Sequence, residues 1–220
     1  MAEEIAVYIE SGRSRVFAVA LEWPGWSRAG KTEGAALEAL ARYAGRYAPV
    51  PQKAGVPFPA SIQPSDFRVV ERLTGSKGAD FGVPDLVPTA DNESLVLTEA
   101  QRLAALLEAA WATFDDIAAK APAILRKGPR GGGRDRDRLV EHVLGAETMY
   151  ARRIGVRQQQ PALGDTRAIA TLREEILGIV RAAPPTADKG WPIRYAARRI
   201  AWHVLDHAWE AEDRGQPEKA

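Results

Sequence analysis

The sequence predicts an α+β protein in which a small N-terminal α+β domain, residues 1–92, precedes an antiparallel four-helix bundle, residues 93–215. Three observations predict it. The chain opens on two short runs rich in β-branched and aromatic residues, "EIAVYIES" and "RVFAVALEW", joined by the turn residues "SGRS". From about Leu95 the pattern changes to long stretches with apolar residues three and four positions apart. Breaks rich in glycine, proline and charge separate those stretches, and helices joined by such breaks bury their apolar stripes against one another.

Each element can be justified in order. The two opening runs form a hairpin. After "PGWSRAGK", Thr32 is a cap for a helix over "EGAALEALARYAGRY", where Ala35, Ala36, Leu37, Leu40, Tyr43, Ala44 and Tyr47 follow helical spacing. The Pro-rich passage "APVPQKAGVPFPASIQP" blocks regular structure, "DFRVVERL" is a further strand, and "FGVPDLVPTADNES" is loop and linker. The first long helix covers "TEAQRLAALLEAAWATFDDIAAKAPAIL", with Leu103, Leu106, Leu107, Ala110, Trp111 and Phe114 on one face. "DRDRLVEHVLGAETMYARRIGV" is the second and opens on acidic residues that suit a helix N-terminus. "DTRAIATLREEILGIVRAA" is the third, and "WPIRYAARRIAWHVLDHAWEAEDR", closed by Gly215, is the fourth.

Composition narrows the function. Hydrophobic residues are 45% and charged residues 27%, the proportions of an ordinary globular chain. Lys+Arg total 30 against 29 Asp+Glu, so the charge balance gives no reason to expect nucleic acid or an acidic membrane surface. No apolar run is long enough to span a bilayer, and "MAEEIAVYIE" lacks the pattern of a signal peptide, which makes the cytoplasm the default location. Cysteine is absent, so disulfides and thiolate ligands are excluded and any metal falls to His, Asp and Glu. There is no Gly-x-Ser-x-Gly, dinucleotide fingerprint or phosphate-loop pattern.

The three histidines carry the chemistry. At about 100° per residue, His207 lies about 40° from His203, within the stripe marked by Ala196, Ile200, Ile193 and Ala211. On the second helix Leu139, Val143, Ala146 and Met149 flank His142 in the same way. All three rings therefore point inward. A single inward histidine is ordinarily a hydrogen-bonded core residue. Three converging imidazoles are different, because each unsatisfied buried ring nitrogen costs roughly 1–3 kcal/mol and few polar partners share those faces. A metal takes one lone pair per ring while the other nitrogen finds an acceptor.

The second half resembles the DinB-like (YfiT-like) metal-binding four-helix bundles. The likeness is carried by "LVEHVLGAETMYARRIG" and "RRIAWHVLDHAWEAEDR", and spans roughly residues 95–214. It implies a three-histidine site for a divalent metal (Zn²⁺, Ni²⁺ or Fe²⁺) at His142, His203 and His207, a homodimer, and a transferase or isomerase reaction using a low-molecular-weight thiol such as mycothiol, bacillithiol or glutathione. The first half resembles HicB-like domains more faintly, through an apolar strand followed by "WPGWSRAGKTEGAALEAL".

Around the three histidines, Glu210 and Asp206 are candidates to accept a histidine N–H or act as a base, or else are solvated charges, and Tyr150 is a candidate to line the pocket or a core tyrosine. Trp202 and Trp209 fall on the opposite flank of the fourth helix and read as packing, dimer or interdomain surface. "RKGPRGGGRDRDR" reads as a solvated connector, with an anion site as its alternative. Two other functions remain open. In one, the metal staples a non-catalytic module whose HicB-like part recognises a partner, with Glu210 or Asp206 as fourth ligand. In the other, the bundle holds no metal and its histidines are hydrogen-bonded.

Overall fold

The computed structural model of the chain describes residues 4–128, 133–184 and 190–215. Part of the glycine-arginine connector, residues 129–132, lies outside the described residues, as do residues 185–189 before the fourth long helix.

Strands β1 (Ile5–Ser11) and β2 (Val16–Ala20) form the expected hairpin, with Val7 opposite Ala20 and Ser11 opposite Val16. The sheet is wider than the sequence reading had it. A short β3 (Ser27–Gly30) pairs antiparallel with β2, and β4 (Phe67–Thr74) pairs parallel with β1, giving the order β3-β2-β1-β4. Nothing in "SRAG" favours a strand. Its pairing follows from the turn before it, where the Trp26 amide donates to the Trp23 carbonyl at 3.0 Å and the Ala20 amide to the Trp26 carbonyl at 3.1 Å.

Helix α1 (Glu33–Arg42) starts on the expected cap, the Ala35 amide donating to Thr32 Oγ1 at 3.2 Å. The reading of one helix through Tyr47 is corrected by a break at Tyr43, after which α2 (Ala44–Tyr47) resumes. The Pro-rich passage is also less irregular than expected. It holds α3 (Pro49–Lys53), because Pro49 sits at the first helical position, where a missing amide hydrogen is no loss. An aromatic cluster fixes this region: Trp26 is fully buried, donates Nε1–H to the Leu40 carbonyl at 3.0 Å, and stacks on Tyr47 with Phe58 and Phe67 edge-on. Helix α1 covers the sheet face bearing Val7 and Ile9. On the other face Tyr8, Phe17 and Val19 gather around Ala79 of the short α4 (Lys77–Asp80).

Four long helices follow: α5 (Leu97–Lys120), α6 (Arg136–Arg152), α7 (Thr166–Ala182) and α8 (Ile193–Gly215). Helices α5 and α6 each pack against both α7 and α8. All six apolar residues assigned to the inner face of α5 are buried. The helix ends earlier than "APAIL" implied, since Ala121 precedes Pro122 and adopts extended backbone. Asp165 caps α7 by accepting the Ala168 amide at 3.0 Å. No helix among the described residues is long and apolar enough to cross a membrane.

The two halves meet on α8. Phe17 of β2 packs edge-on to Trp202, and Tyr43 packs against Trp209. The Arg28 guanidinium lies 3.8 Å over the Tyr43 ring and 4.2 Å over Trp209, and bonds Asp206 at 3.0 Å. Buried Arg198 pairs with buried Asp91 and donates to the Leu21 carbonyl at 3.4 Å. One hydrophobic cluster runs from Ile5 of β1 to Ala211 of α8.

Two outcomes are expected in urea unfolding. At Gly25, φ is +90° and an added Cβ would lie 2.5 Å from Leu205 Cδ1 and 3.1 Å from the Ala201 carbonyl oxygen. Gly25→Ala should therefore cost about 2 kcal/mol, through overpacking against α8 and an unfavourable backbone angle. Asp91→Ala leaves Arg198 buried and unpaired and should cost roughly 3–5 kcal/mol. Wild-type midpoints for both variants would show that the sheet is not docked on α8 in this way.

Candidate metal centre

His142 projects from α6, and His203 and His207 from successive turns of α8. The buried residues Leu139, Val143 and Ala146 orient α6 so that His142 faces α8. Met149, expected on that face, is 59% exposed; it continues the line of His142, itself only partly buried, along the margin of the stripe. On α8 the flanking Ala196, Ile200 and Ala211 are all buried and carry His203 inward to 7% exposure.

The three rings converge. Their centroids are 4.6 Å apart for His203–His207, 4.8 Å for His142–His207 and 5.1 Å for His142–His203. One nitrogen from each lies within 4.8 Å of the other two, a spacing that suits ligation of one ion. Burial first, and then the neighbouring imidazoles, hold His203 down to about 2, and burial also lowers His142. These two rings are therefore neutral at physiological pH, with lone pairs available.

The surrounding residues sort themselves by partner. Glu210 Oε2 lies 2.7 Å from His207 Nδ1, and Arg214 holds the other carboxylate oxygen at 2.6 Å. The hydrogen bond from His207, together with Arg214, keeps Glu210 below the usual carboxylate range, so its charge fixes the His207 ring and leaves Nε2 free. Asp206, the other candidate, is engaged by Arg28 of β3. Tyr150 stands edge-on to His203 at 5.6 Å and accepts a hydrogen bond from Arg199 Nη2 at 3.1 Å. Nδ1 of His203 is buried with no hydrogen-bond partner among the described residues.

The sequence reading passed over Arg199. The signal was available, since Arg199 precedes His203 by four residues, the same interval that pairs His203 with His207.

No family model, curated protein or solved structure matches this chain.

Because Glu210 orients His207, Glu210→Gln should weaken Zn²⁺ binding by about 10–100-fold in competition with a chromophoric chelator. An unchanged affinity would remove Glu210 from the centre.

Proposed function

We propose that the chain is a divalent-metal-binding protein of the DinB-like kind, its four long helices forming an antiparallel bundle around a three-histidine centre. In this reading it acts as a thiol-dependent transferase or isomerase on a small molecule, as a cytoplasmic homodimer. The observation that carries the reading is the convergence of three imidazoles from two helices, one of them with a buried Nδ1 unpartnered among the described residues.

The residues fit the group. His142, His203 and His207 would hold the ion, a neutral-nitrogen set suited to Zn²⁺, Ni²⁺ or Fe²⁺. A divalent ion there would supply Lewis acidity, lowering the pKa of a bound water or cofactor thiol. The protein's own groups do the rest. Glu210 keeps the His207 Nδ1 proton and ring orientation fixed, and Arg214 keeps Glu210 charged. Tyr150 walls the centre beside His203. The HicB-like half braces α8 from the flank away from His203 and His207.

A non-catalytic staple needs a fourth protein ligand. The two carboxylates available for that role are otherwise engaged, Glu210 by His207 and Arg214 and Asp206 by Arg28, which favours an open coordination position.

Untagged protein analysed by mass spectrometry should carry about one first-row metal per chain, and the His203→Ala/His207→Ala double variant should carry none. If neither protein binds metal after incubation with Zn²⁺ and Ni²⁺, the proposal fails.

A further inference from the structure

Arg199 differs from the other arginines around it. Among the described residues, every other arginine that is buried or partly buried meets a carboxylate, as Arg28 meets Asp206, Arg173 meets Asp115 and Arg198 meets Asp91. Arg199 meets none. Its guanidinium instead lies 4.7 Å from the Trp202 ring and 5.2 Å from the Tyr150 ring, and donates once, to the Tyr150 hydroxyl. Its Nη1 is buried and without a partner.

The same cleft holds more donors in the same condition. Between the sheet and α8, a narrow space is lined by Tyr8, Ser27, Tyr195, Arg198, Arg199 and Trp202 among others, and no carboxylate lines it. Ser27 Oγ, Trp202 Nε1 and Arg198 Nε are all buried and unpartnered, and Ser27 and Trp202 are only 1% and 6% exposed. Buried donors are ordinarily satisfied, and a donor-rich, acceptor-poor cleft with one unbalanced positive charge calls for an anion. The free volume is about 10 Å³, room for one water-sized atom, so the cleft takes one oxygen at the carboxylate end of a ligand rather than the whole ligand.

The cleft also borders the candidate metal centre. Arg199 is one helical turn from His203, Tyr150 touches both, and the Trp202 and His203 rings are 6.3 Å apart. We propose that Arg199, with Trp202 Nε1 and Ser27 Oγ, receives the carboxylate end of a small molecule whose other end reaches the three-histidine centre. The position of the reacting end rests on the metal reading; the anion site does not. This gives the N-terminal half a direct part in ligand selection, because Ser27 belongs to β3.

The test is line broadening of [13C]formate by the full chain, with and without Zn²⁺. Saturable broadening is expected in both forms. Arg199→Gln should weaken it at least about tenfold, and Trp202→Phe, which keeps an aromatic side chain and loses the indole N–H, about threefold, with zinc content unchanged in both. Arg199-dependent binding in a protein that takes up no zinc would uphold the anion site and overturn only the metal reading. Three results would overturn the proposal: no saturable binding, formate binding indifferent to both substitutions, or chloride competing as well as acetate, which would mark a halide site.

Discussion

Two flanks of α8 serve two different neighbours, and the packing of the molecule follows from that division. His203 and His207 face His142 of α6, while Trp202 and Trp209 face Phe17 and Tyr43 of the N-terminal half. A helix buried on so many sides cannot shift to accommodate one neighbour without disturbing the other, because close-packed interiors transmit displacement. The placement of the two histidines against His142 is thus braced by the sheet as well as by the other long helices. Gly25, which brings the backbone of the turn between β2 and β3 against Leu205 and Ala201, is one place where this coupling is tightest.

The charges follow the same division. On the sheet side of α8, arginines and carboxylates pair across the seam: Arg28 with Asp206, Arg46 with Glu212 and Asp213, Arg198 with Asp91. On the histidine side His142 and His203 are neutral, and one carboxylate, Glu210, is bonded to His207 and Arg214. A dication held among so few negative charges would keep a high local potential, which suits attraction of an anionic ligand. Arg199 lies where the two sides meet, and its missing carboxylate is the exception that the pairing elsewhere makes visible.

Much of this was legible in the sequence, for identifiable reasons. The long helices have strong periodicity and Thr32 is an explicit cap, so these elements could be placed directly, whereas the cap at Asp165 came from the structure. The convergence of the histidines followed from helical geometry and one assumption, that the stripes of the second and fourth long helices face each other. Strand β3 was not legible, because "SRAG" has no strand character and its pairing is imposed by the preceding turn. Helix α3 was hidden by its prolines, which break a helix interior but suit its first turn. The partners of Asp206 and Glu210 depend on residues as far away in the chain as Arg28, and no local pattern separates a carboxylate that orients a histidine from one that pairs across a seam.

The central claim is a metal held by three imidazoles with a coordination position left open. X-ray absorption at the Zn edge of zinc-loaded protein addresses it most directly. The account expects three imidazole nitrogens at about 2.0–2.1 Å and a remaining light-atom ligand that small anions or thiols displace. A first shell closed by a protein carboxylate and indifferent to added ligand, or one containing fewer than three imidazoles, would contradict it.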